Sequence, residues 1–285
     1  GIRSMNDGEH FTMLEGNMAI GKYSYKTGQF VDLVFDIRDI ENQEIHSFSD
    51  YAFNQDETKI LLTTNKQSIY RHSFSADYYI YDLEENTISS LSGLGSQQLA
   101  EFSPDGKKVA FVRENNLFYV DLESGKEIQI TFDGSRNEII NGAPDWVYEE
   151  EFSFSKGFYW SPSSDRIAFY RFDERRVKEF NMTMYGDLYP EWYSFKYPKA
   201  GEENSIVTIK VYHLNKKKTI NIDIGPEEDQ YIPRIKWTFN NDILSILRLN
   251  RLQNHIEVLL GDAQTGNSSI VYQEEDEKYI SEVTD

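Results

Sequence analysis

Short runs of apolar and aromatic residues alternate with polar turns along most of the chain. Four segments have the pattern of a β-hairpin: YAFNQDETKILLTTN from Tyr51, AEFSPDGKKVAFVREN from Ala100, FYWSPSSDRIAFYRFD from Phe158 and IKWTFNNDILSILRLN from Ile235. Two of the turns, SPDG and SPSSD, place proline at the second turn position, where its fixed φ angle is favourable. No stretch sustains a helical period. The pattern therefore predicts an all-β fold.

The hairpins belong to a longer repeat. A third strand-like run and another polar turn follow each hairpin, as in DYYIYDLEENTISSLS from Asp77, which gives about four strands per repeat. The repeats contain aromatic residues spaced 49, 58 and 77 residues apart: Phe53, Phe102, Trp160 and Trp237. A fainter repeat runs from His10 to Asp36. The spacing predicts a β-propeller of four-stranded blades, of which about five are present.

The widest interval contains a segment that matches the repeat poorly. This segment, NMTMYGDLYPEWYSFKYPKAGEENS from Asn181 to Ser205, is rich in tyrosine, proline and glycine. Its composition predicts an insertion that extends from the blade, either as a lid or as an arm that pairs with another subunit. An irregular surface loop is the plain alternative, and the aromatic residues favour an interface.

Composition narrows the classes of function. A formal net charge of −19 repels phosphate backbones and anionic membranes, so we expect no nucleic-acid partner. The chain has no cysteine, and no His, Asp and Glu cluster has metal-ligand spacing, so we expect no metal and no other cofactor. The sequence contains no run of about 18 apolar residues, so we expect no membrane span. The opening GIRSMNDGEH lacks an initiator methionine, as expected after signal removal or in an excised piece.

The stretch DWVYEEEFSF, Asp145 to Phe154, places three consecutive glutamates beside residue types that usually mark a buried segment. In a strand, adjacent side chains point to opposite faces and could not share a ligand. In a helical turn they differ by about 100°, so bent side chains can converge. Pro144 and Asp145 are acceptable at a helix entry, and Asp145 can cap free amides. We therefore predict a short helix over Asp145 to Glu151; a solvated acidic run is the plain alternative.

Four segments together resemble the N-terminal propeller of the dipeptidyl peptidase IV family of prolyl-oligopeptidase-type serine exopeptidases. These are YRHSFSADYYIYDL from Tyr70, NGAPDWVYEEEF from Asn141, WSPSSDRIAFYRFDE from Trp160 and YPKAG from Tyr197. The resemblance implies an eight-bladed propeller followed by an α/β-hydrolase domain, with the active site between them. Residues 1–285 would then be a partial propeller with an inserted arm at about 172–201, and the hydrolase domain would lie outside this chain.

The resemblance also implies the site residues. Glu150 and Glu151 would bind the substrate α-ammonium group, and Glu149 is the weaker candidate. Arg71 would keep these acids ionised and bind a substrate carbonyl oxygen, whereas His72 is expected to be structural. No G-x-S-x-G motif occurs, and no histidine has a candidate serine nucleophile, so we assign no catalytic residue and expect no hydrolysis by this chain alone.

The implied partners are peptides with a free N-terminus, the hydrolase domain of the same protein and a second copy bound through the arm. The implied reaction is release of N-terminal Xaa-Pro or Xaa-Ala dipeptides. The absence of cysteine departs from the animal relatives and indicates a bacterial member, although it does not decide the compartment. We expect an exported protein, either periplasmic or at the cell surface. The acidic tail from Tyr272 is expected to begin the next blade. A non-catalytic propeller that only binds proteins is the alternative function.

Overall fold

The computed structural model describes residues 1–40 and 45–280, and nearly all of their regular structure is β. The chain forms two compact units. The first contains Gly1–Ile69, Phe74–Ala110 and Val120–Glu127, and the second contains Tyr70–Ser73, Phe111–Tyr119 and Ile128–Asp285. No helix in the described ranges has the length and apolar character that crossing a membrane requires.

Two four-stranded antiparallel sheets lie in the first unit, each in chain order. The first sheet comprises β1 (Arg3–Ser4), β2 (His10–Glu15), β3 (Ala19–Ser24) and β4 (Phe30–Asp36), and a 3-10 helix, Ile37–Asp39, follows it. The second comprises β5 (Asp50–Phe53), β6 (Lys59–Ser68), β7 (Phe74–Asp82) and β8 (Thr87–Ser90). Aliphatic and aromatic residues together form the core of this unit, where the rings of Phe35 and Tyr81 lie 4.6 Å apart between centroids.

The third sheet follows the same hairpin order, and its residues are divided between the two units. Its strands are β9 (Gln98–Phe102), β10 (Lys108–Arg113), β11 (Asn116–Asp121) and β12 (Lys126–Gln129). The SPDG turn connects β9 to β10. Ser103 Oγ accepts the Lys108 N–H at 3.0 Å, and Gly106 has φ +66°, a conformation that glycine adopts without steric cost. The turn chemistry predicted from the sequence is therefore present.

The fourth sheet lies in the second unit, and the chain that forms it also contains a short helix and a separate hairpin. In chain order the elements are β13 (Ile139–Asn141), α1 (Trp146–Glu151), β14 (Phe158–Trp160), β15 (Arg166–Asp173), β16 (Glu179–Met184), β17 (Glu191–Lys196), β18 (Ile206–His213) and β19 (Lys218–Ile222). Both β13 and β14 pair with β15, Ile140 opposite Phe172 and Tyr159 opposite Ala168. The helix α1 therefore interrupts the edge of this sheet between two short strands.

Strands β16 and β17 form a separate two-stranded hairpin inside the predicted 172–201 interval. Its tip carries large exposed side chains: Tyr185, Leu188, Tyr189 and Trp192 are between 71% and 91% exposed. This hairpin, Glu179–Lys196, is called the arm below. The segment is thus a regular hairpin rather than an irregular loop.

The fifth sheet completes the second unit and contains β20 (Gln230–Trp237), β21 (Ile243–Asn250), β22 (His255–Asp262) and β23 (Ser268–Glu275). The prediction that the tail from Tyr272 begins a new blade is wrong for its first residues. Tyr272 pairs with Val258, so the chain through Glu275 is the outer strand of the fifth sheet. The last residues of that tail, 281–285, lie outside the described residues.

Five sheets match the five repeats predicted from the sequence, including the fainter one from His10. Four of them have four strands in hairpin order, and the fourth sheet has an additional short strand because α1 splits its edge. The all-β prediction with four-stranded units is confirmed.

Candidate functional site

Helix α1 begins where the sequence predicted, because Asp145 caps it with a buried carboxylate. Asp145 Oδ1 accepts the Tyr148 N–H at 2.9 Å, and Oδ2 accepts the Ser205 hydroxyl at 2.7 Å. Burial raises the pKa of Asp145, and these hydrogen bonds oppose that rise. One side chain therefore satisfies the first turn of the helix and fastens it to the residue that precedes β18.

The aromatic half of the DWVYEEEF stretch anchors the helix in the core. The Tyr148 ring lies 4.9 Å from that of Phe172 between centroids, and its hydroxyl accepts the Ile232 N–H at 2.9 Å. Trp146 packs against Tyr197 with 4.3 Å between ring centroids. These contacts explain the aromatic residues beside the glutamates: the aromatic side chains attach α1 to the strands packed around it.

The helix ends just after the third glutamate. Phe152 is the C-cap, and Ser153 follows with φ +56°, a left-handed conformation that stops the helix. The Phe152 carbonyl accepts a hydrogen bond from Arg234 Nη1 at 2.7 Å. Both ends of this short helix are thus tied to neighbouring strands, which compensates for the low intrinsic stability of a helix of this length.

The first glutamate points into the protein. Glu149 is 1% exposed, and its Oε1 accepts two backbone N–H groups, from His72 at 2.7 Å and from Ser73 at 2.9 Å. Its other oxygen, Oε2, is buried and has no hydrogen-bond partner within residues 1–40 and 45–280. The Tyr70–Ser73 segment that Glu149 contacts is the turn between β6 and β7, and it is called the Arg71 turn below.

The second and third glutamates are more exposed than the first. Glu150 Oε2 lies 3.1 Å from Arg71 Nε, with the Glu150 side chain 16% exposed and the Arg71 side chain 71% exposed. Glu151, one residue further, is exposed. The structure therefore brings Arg71 to Glu150 and places Glu151 on the solvent side of the same helical turn.

Arg71 retains hydrogen-bonding capacity in this arrangement. Among the described residues the guanidinium makes one ion pair, through Nε, although the group carries five N–H donors in a planar fork. An ion pair with such an exposed partner contributes about 0–1 kcal/mol to stability. The pair therefore adds little to the stability of the fold.

The surroundings of the Arg71 turn are acidic. Glu174 is 5% exposed, and burial together with the nearby charge of Asp145 raises its pKa to about 8, while Lys196 opposes the rise. Burial also raises the pKa of the Tyr70 phenol, and the charges of Glu174 and Asp145 add to this effect.

A cavity of about 460 Å³ lies beyond the end of α1. Aromatic and basic side chains line it together with strands of the fifth sheet, and they include Phe154, Tyr159, Arg234 and Lys236. The part of the chain that the structure describes contains no group of three or more His, Asp or Glu side chains placed to hold a metal ion.

The sequence predicted the helix, the family resemblance implied that Arg71 lies close to the acids, and the structure places Arg71 beside Glu150. The sequence did not predict that Ser205 holds the cap, nor that Glu149 binds backbone rather than facing solvent. Composition could not indicate these two contacts, because Ser205 is distant in sequence from Asp145 and His72 is distant from Glu149. The roles of Glu149, Glu150, Glu151 and Arg71 toward a ligand stay predictions.

The comparisons with known proteins identify one family. The family model described as the dipeptidyl peptidase IV (DPP IV) N-terminal region matches residues 54–285. The chain is 34% identical over 236 residues to Probable dipeptidyl-aminopeptidase B of Podospora anserina, covering 75% of this chain and 25% of the relative. It is 35% identical over 239 residues to the protein of that name in Chaetomium globosum, covering 77% and 26%.

A solved structure agrees with these matches. The crystal structure of dipeptidyl peptidase 4 from Porphyromonas gingivalis superimposes with a TM-score of 0.93 at 41% identity, covering 98% of this chain and 40% of that one. The chain thus spans about a quarter of the length of the curated relatives it matches. The relatives include fungal proteins and a bacterial one, so a bacterial origin stays a prediction. The chain belongs to the dipeptidyl peptidase IV family, as part of its N-terminal propeller region.

Proposed function

We propose that this chain is the substrate-recognition region of a serine exopeptidase that releases N-terminal dipeptides from peptides. The observation that carries the proposal is the ion pair between Arg71 and the half-buried Glu150, beside an exposed acid, Glu151, on the same helical turn. This arrangement suits a ligand that is cationic at one atom and has a carbonyl oxygen close to it. A peptide with a free N-terminus has both features.

Glu150 and Glu151 would bind the α-ammonium group, which carries a positive charge and three N–H donors. The remaining N–H groups of Arg71 would donate to a carbonyl oxygen of the same peptide. A peptide bound in this way has its amino terminus at a fixed position. The bond to be cleaved is then always the one after the second residue, as dipeptide release requires.

The chemical step would take place outside this chain. Each hydrogen bond between charged groups contributes about 1.5–3 kcal/mol, so the three side chains can fix the amino terminus firmly. Fixing the terminus places the bond after the second residue at a constant distance from a nucleophile in a following α/β-hydrolase domain. The binding free energy is then used for orientation. Preference for proline or alanine at the second position would depend on that domain.

The test uses the full-length gene product and a glycyl-prolyl chromogenic substrate. We expect hydrolysis of the substrate with a free amine and none of its N-acetylated form, since acetylation removes the positive charge. Glu150→Gln and Glu151→Gln should each raise KM by about tenfold or more. Equal hydrolysis of the acetylated substrate, or unchanged KM in both variants, would refute the proposal. Absence of any hydrolysis would favour the non-catalytic, protein-binding alternative.

We further propose that the intact protein is an exported homodimer joined through the arm. The exposed aromatic tip supports this proposal, because contiguous apolar surface of this kind is typical of an interface.

A further inference from the structure

We propose that Glu149 is a positioning residue: it holds the Arg71 turn against helix α1 and thereby sets the place of the Arg71 guanidinium relative to Glu150. This inference rests on the proposed function, because it gives Glu149 a role in the same binding site. It also gives Glu149, the weaker candidate for direct binding, a role different from that of its two neighbours.

Burial excludes Glu149 from direct contact with a ligand in solvent. The residue is 1% exposed, and one of its oxygens already accepts the N–H groups of His72 and Ser73. Hydrogen bonds from backbone amides to a carboxylate are shorter and stronger than those between neutral groups. The two residues that follow Arg71 are therefore fixed by a side chain from α1.

The Arg71 turn needs such a contact because it lies between β6 and β7, outside their regular pairing. Within the turn, Ser73 Oγ accepts the Tyr70 N–H at 3.2 Å, and outside it the Tyr70 ring lies 6.0 Å from that of Phe195 in β17. The Arg71 side chain is 71% exposed, so its own packing does little to fix it. Glu149 supplies the polar attachment between the turn and the helix.

The helix geometry links this attachment to the binding residues. Glu149 and Glu150 are adjacent, so their side chains leave α1 about 100° apart. One reaches the backbone of the Arg71 turn while the next reaches the Arg71 side chain. Movement of the turn away from Glu149 would therefore move the guanidinium away from Glu150.

The conservative substitution distinguishes positioning from direct binding. In the full-length protein with the glycyl-prolyl chromogenic substrate, Glu149→Ala should raise KM by about tenfold. Glu149→Gln should raise it much less, because the amide oxygen can still accept both N–H groups. A direct ligand would behave oppositely, since glutamine lacks the charge that an ammonium group requires. Glu227→Ala is the control: Glu227 is exposed and also accepts a backbone N–H, from Asp229 at 2.8 Å.

A double-mutant cycle tests whether Glu149 acts through Arg71. If it does, adding Glu149→Ala to Arg71→Ala should cause no further rise in KM, whereas adding it to Glu227→Ala should cause the full rise. If Glu149 only supported the fold, Glu149→Ala would lower the amount of active enzyme, and it would do so in the Arg71→Ala background as well. Equal effects of Glu149→Ala in both backgrounds would overturn the inference.

Amide hydrogen exchange separates failure of this inference from failure of the proposed function. On this 285-residue chain, Glu149→Ala should speed exchange at His72 and Ser73, and Glu149→Gln should restore the protection. Unchanged exchange in Glu149→Ala would overturn the attachment itself. Faster exchange in Glu149→Ala, with a higher KM for Glu150→Gln but an unchanged KM for Glu149→Ala, would refute the positioning role of Glu149 and leave the proposed function intact. If Glu150→Gln and Arg71→Ala both leave KM unchanged, the proposed function fails, and the positioning role with it.

Discussion

Position around one helical turn gives the three glutamates different environments. Glu149 is buried against backbone amides, Glu150 is half-buried beside Arg71, and Glu151 is exposed. A strand would have placed Glu149 and Glu151 on one face and Glu150 on the other. The helix instead turns each acid toward a different neighbour, so one run of identical residues can supply both an attachment and a binding surface.

A fourth acid, Glu174, predicts a measurable pH dependence of stability. Its pKa is about 8 in the folded chain, against an ordinary value of 4.5. Between these values the folded chain keeps the proton and the unfolded chain releases it, so the free energy of unfolding falls as pH rises. Glu174→Gln removes this contribution. We expect the variant to lose less stability than the original chain between about pH 5 and pH 8.

Urea denaturation of this chain at the two ends of that range measures the difference. Glu227→Gln, at an exposed glutamate, serves as the control and should follow the original chain. Parallel loss of stability in Glu174→Gln and the original chain would show that Glu174 ionises normally in the folded state.

The helix α1 is the element on which the site depends, and its cap can be tested alone. Asp145→Ala removes the acceptor of the Tyr148 N–H and the partner of the Ser205 hydroxyl. We expect a loss of about 1–3 kcal/mol in the free energy of unfolding, measured by urea denaturation. Asp145→Asn should retain most of the stability, because its amide oxygen can still cap the helix. Equal stability of the two variants would contradict the capping role.

Turn chemistry and strand periodicity made the hairpins predictable, because they depend on residues that are close in sequence. The helix was predictable for the same reason, from Pro144, Asp145 and the acids that follow. The split edge of the fourth sheet was not, since two short apolar runs do not reveal that both pair with β15. The Tyr272 error has the same origin: an acidic outer strand resembles a linker until its partner is known.

Long-range contacts limited the prediction of the site more severely. The attachment of Glu149 to His72 and the bond from Ser205 to Asp145 connect residues far apart in the chain. Neither has a local signature, because glutamate and serine are ordinary surface residues. The proximity of Arg71 to the acids came from the family resemblance rather than from any spacing rule.

At the scale of the whole molecule, the arm predicts the oligomeric state of the full-length protein. We expect a homodimer by light scattering, because Leu188 and Trp192 are 91% and 71% exposed and would be buried by a partner. Leu188→Glu with Trp192→Glu should shift the protein to a monomer, since buried unpaired charges strongly oppose association. Leu94→Glu, at an exposed leucine 71% accessible and outside the arm, is the matched control. A monomeric original protein would contradict the expectation.

The central claim is that Glu150 and Glu151 bind the amino terminus of a peptide. The most direct measurement is a crystal structure of the full-length protein with a bound peptide that has a free N-terminus. We predict that the α-ammonium nitrogen lies about 2.7–2.9 Å from carboxylate oxygens of Glu150 and Glu151, with Arg71 donating to a peptide carbonyl oxygen. A bound peptide whose amino terminus points to solvent, away from both glutamates, would contradict the account.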